Sequence, residues 1–237
     1  MDYLLEFLNM RGAFSSRHPS GPYISVVERK NDSQLFNPEY AIDGQILKKM
    51  TELAIGAFSL PGSTYSLEDM LDHVEKVSGV VFLYSEGELI GFASAIYPRS
   101  GFFYLQGVAV APHMSGKGYA LELVRLLFKS SGLNEIALNT QNPRIFCLLR
   151  SLCHNVYPSP TLLVPERFNK RVSAIVAGKA LSLETGVREN LYPHCLYEQI
   201  PQSGDEVVDR WFSDALSIVD GKTSSGFLLI GEGIRSV

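Results

Sequence analysis

Cysteine is scarce in this chain. There are three in 237 residues, Cys147, Cys153 and Cys195, an odd number with no Cys-x-x-Cys spacing. That removes a disulfide framework, a zinc-ligand pattern and a redox pair, so no metal site is expected and the thiols should be reduced. Long apolar runs are missing as well. None approaches the ~20 residues of a membrane helix, so no membrane span is expected. Charge of one sign is not in excess: 21 Lys and Arg against 25 Asp and Glu leave a net charge of −4. Duplex binding draws on many Lys/Arg–phosphate contacts, so a nucleic-acid partner is not expected either. The opening M-D-Y-L-L-E-F-L-N-M-R carries Asp2 and Glu6 and lacks a small-residue cleavage site. It reads as a short amphipathic helix rather than a signal peptide. A cytoplasmic location follows as the expectation.

The hydrophobic share, 46%, is enough for a folded core and argues against disorder. The length suits one large domain or two small ones. Residues 1–22 read as an N-terminal helix and linker, and Tyr23 to Arg29 as a first strand. Ile46, Leu47, Met50, Leu53, Ala54 and Ala57 recur at helical spacing within 43–58, and Pro61-Gly62 stops that helix. Ser66, with Asp69 three residues on, predicts the N-cap of a second helix carrying Leu67, Met70, Leu71 and Val74 on its buried face. Three strands follow, Val80–Tyr84, Leu89–Tyr97 and Phe102–Val110, divided by turns at 85–88 and 98–101. Connections this short predict an antiparallel meander. After Pro112 come a helix over Lys117–Ser130, a strand over Glu135–Thr140 and a helix over Pro143–Leu152. Beyond residue 155 the pattern loosens around Pro158, Pro160 and Pro165. A short helix within 166–179, a helix over Asp205–Ile218 with Trp211 and Phe212 in its core face, and a strand over Gly226–Ile230 complete the reading. There is no internal repeat.

The chemistry concentrates in F-Y-L-Q-G-V-A-V-A-P-H-M-S-G-K-G-Y-A-L-E-L-V-R-L-L-F, residues 103–128. A buried strand ends at Pro112, and a glycine-bearing loop leads straight into a helix. Glycine allows the loop to turn its amides inward, and the free amides of a helix N-terminus attract anions. Lys117 adds positive charge. The spacing is neither a Walker loop nor a dinucleotide fingerprint. On the glycines alone, a bare strand–turn–helix corner with no ligand is the favoured reading.

His113-Met114-Ser115-Gly116-Lys117-Gly118, with Tyr119 and Ala120 following, resembles the acetyl-CoA-binding segment of the GNAT acyltransferases, Arg/Gln-x-x-Gly-x-Gly/Ala. His113 stands where Arg or Gln is usual. The element order over residues 23–155 is similar to that family, and A-L-N-T-Q-N-P-R-I-F-C-L-L-R-S-L resembles its second cofactor segment.

The resemblance implies an α/β fold with an antiparallel N-terminal meander and a parallel strand pair splayed at the cofactor cleft. A 23–155 core would carry acetyl-CoA, and a 156–237 extension would supply the last strand. It also implies acetyl transfer to a small-molecule or protein amine, direct attack in a ternary complex, and a possible homodimer. Main-chain groups of Val108, Ala109 and Val110 would pair with the pantetheine arm, and amides from Met114 to Ala120 would hold the pyrophosphate. Asn142 would contact the pantetheine arm.

Two departures stand out. Leu149 occupies the place of the family's usual thiolate-protonating Tyr, and Gln106 that of a common carboxylate. The catalytic candidates are therefore Tyr104, Gln106, Tyr157 and Glu189, with Tyr97, Cys153 and His154 as further proton donors. The stretch holding Arg188, Glu189, Asn190, Tyr192, His194 and Tyr197 is a candidate acceptor wall, and Ser59–Tyr65 a candidate specificity loop. A non-catalytic CoA-binding or protein-interaction module, or a transferase of longer acyl chains, remains an alternative.

Overall fold

The computed structural model describes residues 15–17, 23–28, 42–58, 65–176, 181–192 and 195–235. The expected helix at the N-terminus, His194 and most of the 59–65 loop lie outside them. The strands are β1 (Ser15–Arg17), β2 (Tyr23–Glu28), β3 (Gly79–Ser85), β4 (Glu88–Arg99), β5 (Phe102–Val110), β6 (Glu135–Thr140), β7 (Cys153–Tyr157), β8 (Val187–Arg188) and β9 (Gly226–Ile234). The helices are α1 (Gly44–Phe58), α2 (Leu67–Lys76), α3 (Tyr119–Ser130), α4 (Pro143–Leu152), α5 (Asn169–Val176) and α6 (Glu206–Ala215). Two compact units emerge. One comprises Met1–Ala57, Gly62–Ile96 and Leu105–Ser131, the other Phe58–Pro61, Tyr97–Tyr104 and Gly132–Val237.

In the first unit β1, β2, β3 and β4 pair antiparallel in sequence order, and β5 lies beside β4. The β3–β4 turn places Glu86 and Gly87 at φ of 52° and 84°. The β4–β5 turn places Ser100 and Gly101 at 53° and 82°. Two successive positive φ values match the twist of a tight hairpin, so β4 runs through Pro98 to Arg99 rather than ending at Tyr97.

The capping box on α2 forms as expected: Ser66 Oγ accepts from the Asp69 amide, and the Asp69 carboxylate accepts from the Ser66 amide. Met70 and Val74 are buried, but Leu67 and Leu71 stay 47% and 37% exposed. That i, i+4 pair lies to one side of the Met70–Val74 row, so the buried stripe is narrower than the sequence implied. Residues of β4 alternate between faces. Ser94 faces α2, whereas a side chain at Gly91 would meet Leu123 of α3, so the two helices cover opposite faces.

In the second unit the first residues of β5 pair parallel with β6, and β9 lies between β6 and β7, antiparallel to both. The C-terminal segment thus supplies an interior strand, longer than the expected Gly226–Ile230. Strand β8 adds to β9 through Val187–Phe227 and Arg188–Gly226. Neither β7 nor β8 was apparent in the sequence. Both are short, and β7 has no clean alternation to announce it.

One face of this sheet, carrying Phe102, Tyr104, Ala137, Leu228 and Ile230, packs on Phe168, Val172 and Ile175. A separate aromatic cluster forms where Trp211 stacks on Phe227 at 4.4 Å and Phe212 meets it edge-on at 4.8 Å. This confirms the core role expected of the Trp211–Phe212 pair.

Candidate functional site

The glycine-bearing loop lies in the first unit. After β5, Pro112–Met114 form a single 3-10 turn, in which the Met114 amide donates to Ala111 O and the Ser115 amide to Pro112 O. Those two amides, expected to face an anion, are therefore engaged. From Gly116 onward the position differs. Gly116 and Gly118 have φ of 77° and 83°, which L side chains rarely adopt, and open space surrounds the position of an added Cβ at each. Gly118 is the N-cap of α3 and has no side chain to satisfy the first turn. The first helical bond inward is Glu122 N to Gly118 O, so the amides of Tyr119, Ala120 and Leu121 have no i−4 carbonyl to bond. Lys117 and His113 are exposed beside them. This arrangement fits a pyrophosphate: free amides, a helix N-terminus, one cation and no bulk in the way.

The first unit also holds a pair that the sequence did not reveal. His73 of α2 places Nε2 2.7 Å from Oγ of Ser94, a fully buried residue of β4. A side chain at Gly107 of β5 would touch both, at 3.5 Å from His73 Cε1 and 3.7 Å from Ser94 Oγ. Burial drives the His73 pKa from 6.5 down to about 4, against a smaller upward pull from Asp72. The imidazole is thus neutral at physiological pH. A lone His within an exposed-looking helical turn gives no sequence signal of this. Gln106, the neighbouring β5 residue, has its Oε1 buried without a hydrogen-bond partner.

In the second unit the parallel ladder consists, among the described residues, of Phe103–Ile136 and Tyr104–Ala137. Two residues past its last pair, Asn139 Nδ2 donates to Tyr104 Oη at 2.6 Å. Tyr104 is 6% exposed, and the Arg99 guanidinium lies 4.5 Å from its ring centroid. Burial raises its pKa, outweighing the opposing pull of Arg99 and Arg188, so it stays a neutral phenol. Tyr192 is raised for the same first cause, and Tyr197 is pushed up to about 12 by burial, partly offset by its bond with Asn142.

Asn142 caps α4, its Oδ1 accepting from the Arg144 amide, while its Nδ2 donates to Tyr197 Oη at 3.3 Å. Leu149 is fully buried within α4 and offers no proton donor. Cys153 is also buried, with its thiol pushed up to about 12 by desolvation, which makes it unreactive.

The other candidates disperse. Residue pairing runs Tyr104–Ala137–Ile230–Tyr157 across the sheet. Tyr157 is thus three strands from Tyr104, about 14 Å at the usual strand spacing. There its ring packs against Phe168 under Arg167. Glu189 is exposed and lines a shallow hollow with Val187, Leu181, Thr185 and Ala215. Arg188, between Val187 and Glu189, is buried. His154 is exposed.

Among the described residues no group of three His, Cys, Asp or Glu side chains could hold a metal, and no helix is long and apolar enough to cross a membrane.

No curated protein matches the chain. Among solved structures it is similar to an IAA acetyltransferase from Bacillus cereus, at 14% identity and a TM-score of 0.44, over 88% of this chain and 99% of that one. It is also similar to a GNAT family acetyltransferase from Elizabethkingia anophelis with acetyl-CoA bound, at 14% identity and a TM-score of 0.42, over 88% of this chain and 97% of that one. Residues 47–145 match the model of the Acetyltransferase (GNAT) family. The matched segment runs from within α1 to the start of α4 and includes the glycine loop, so this part of the chain is similar to an acetyltransferase domain of the GNAT family.

Proposed function

We propose that this chain is an acetyl-CoA-dependent N-acyltransferase acting by direct attack of a primary amine on the bound thioester. The observation that carries the reading is the Gly116–Gly118 loop, whose positive φ values and unbonded helix amides suit a pyrophosphate. In this reading Gly116, Lys117, Gly118, Tyr119 and Ala120 hold the pyrophosphate. The main chain of Val108, Ala109 and Val110 pairs with the pantetheine arm, and one of its amides stabilises the oxyanion.

The amine lone pair forms the new C–N bond, the C–S bond breaks, and the CoA thiolate departs and takes up a proton from water. The surplus proton on nitrogen passes to a base. His73, neutral and held beside Gly107, is the group we assign to that step. Tyr104 keeps its proton, and neither it nor Gln106, which strand alternation turns to the face opposite Gly107, is assigned the base. Tyr157 and Glu189 receive no catalytic role.

A second reading, a non-catalytic CoA-binding module, draws support from Leu149, whose burial leaves the family's usual thiolate acid without a replacement at that place. Calorimetric titration with acetyl-CoA, CoA and a long-chain acyl-CoA, followed by CoA release across an amine panel, separates the two. Binding with turnover supports transfer. Binding without turnover on any amine supports the module. No binding of any CoA species refutes both.

A further inference from the structure

Two polar atoms on the Tyr104 face of the second unit, Arg188 Nε and Asn139 Oδ1, are buried without a hydrogen-bond partner, and their needs are opposite. Arg188 pairs with Gly226, in register with Leu228–Asn139 and Ile230–Ala137 on β9, which puts its side chain on the face that carries Asn139 and Tyr104. It is 5% exposed, and its Nε has no hydrogen-bond partner. Asn139 donates to Tyr104, but its Oδ1 is buried and accepts nothing. One group is a charged donor and the other a neutral acceptor.

The surroundings of Arg188 sharpen the point. Four other arginines hold carboxylates: Arg125 with Glu122, Arg150 with Asp205, Arg167 with Glu232, and Arg171 with Glu135. Arg188, buried where they are not, has none among the described residues. The ionisable groups acting on it are Tyr104, Tyr192 and Arg99. Burial keeps both tyrosines neutral, and Arg99 is a second cation. A buried guanidinium without a counter-ion is a poor arrangement for stability alone. It is a good one for an anionic ligand that supplies the missing charge in planar, bidentate form. Arg99, Asn139 and Tyr192 are each half-buried.

We infer that this face of the second unit binds a small amine that bears a carboxylate, an amino acid in chemical class, with its carboxylate on the Arg188 guanidinium and an N–H on Asn139 Oδ1. This goes beyond the acyltransferase reading, which is carried by residues of the other unit.

The test is calorimetry on the full chain with glycine, alanine, leucine and phenylalanine, each beside its amide and its decarboxylated amine, with CoA present and no acetyl donor. The expected result is measurable binding of at least one amino acid, with its amide and amine weaker by about tenfold or more. Arg188→Met should erase that preference with the Kd for acetyl-CoA unchanged, and Arg188→Lys should retain part of it. Should Arg188→Met fail to fold, the ligand series on the unaltered chain decides alone. Equal affinity for amino acid, amide and amine in every series, or no amino acid bound at all, overturns the inference. Loss of acetyl-CoA binding is a separate result that overturns the acyltransferase reading only.

Discussion

His73 Nε2 lies 2.7 Å from Ser94 Oγ, joining α2 to β4 inside the first unit. The bond fixes the ring beside Gly107, where an added Cβ would stand in van der Waals contact with it. A histidine held this way is neutral and directional at once. The ring nitrogen not bound to Ser94 is the one that can exchange protons.

The first prediction concerns pH and stability. The folded pKa of His73 lies at about 4 against an unfolded value of 6.5, and the groups facing it are Asp72, Lys76 and Ser94. A depressed pKa means that the unfolded chain binds the proton more readily. Stability is therefore fully present above pH 6.5 and is lost as pH falls toward 4, by roughly 3 kcal/mol in total. Urea midpoints measured from pH 7 to pH 4 should fall along this slope. In His73→Gln, which can still bond Ser94 but cannot titrate in this range, the slope should flatten. An unchanged slope would mean that carboxylates, not His73, set the acid response.

The second prediction concerns catalysis. His73→Gln should lower kcat by roughly a hundredfold, in the range of a lost general base, with the Kd for acetyl-CoA unaltered. The rate of the variant should also lose the limb of its pH profile that titrates below neutrality. A kcat within about threefold of the starting enzyme would remove His73 from the proton path.

Much of the architecture was legible in the sequence, and for physical reasons. The β3–β4–β5 run announced itself through β-branched and aromatic segments parted by Glu86-Gly87 and Ser100-Gly101. The α2 start followed from Ser66 and Asp69, and β6 and α4 fell where expected. The Gly116–Gly118 loop could be read because left-handed backbone demands glycine, and glycine is visible in a sequence.

What escaped depends on contacts between distant residues. Strand β7 is held in place by β9, some seventy residues later. His73 becomes unusual only through Ser94 and Gly107. Asn139 and Arg188 look like ordinary strand and loop residues until β8 is laid on β9. Tyr157 and Glu189 were reasonable by type, but no sequence rule shows that one lies three strands away and the other lines a separate hollow.

The third prediction tests the insertion of β9. Gly231 pairs with Ile136 on one side and Val156 on the other. A Cβ there would stand 2.6 Å from Cys153 Sγ and 2.7 Å from Ile136 Cγ2. Gly231→Ala should destabilise the chain by about 1–3 kcal/mol through overpacking. Cys153→Ala removes one of the two clashes, so the double variant should be more stable than the sum of the single losses predicts. Additive losses in a urea double-mutant cycle would show that β9 shifts to admit the methyl group, and the tight fit would then not be what sets the strand in place.

The last prediction addresses the anion cradle directly. Gly118 is the N-cap of α3 at φ 83°, with open space where a side chain would begin. Any replacement there costs about 1–2 kcal/mol for the left-handed backbone. The informative comparison is therefore between two replacements of the same shape, Gly118→Gln and Gly118→Glu. Both bear the same strain and nearly the same bulk, and only the second brings a negative charge to the helix N-terminus. That charge favours the helix itself, so Gly118→Glu should be no less stable than Gly118→Gln in a thermal melt. It should nevertheless abolish acetyl-CoA binding by calorimetry, because the carboxylate occupies the potential that the pyrophosphate would use. Gly118→Gln should bind more weakly than the parent but measurably. Equal affinities in the two variants would mean that the loop amides do not face the anion, and the cofactor assignment for Gly116 to Ala120 would fall with them.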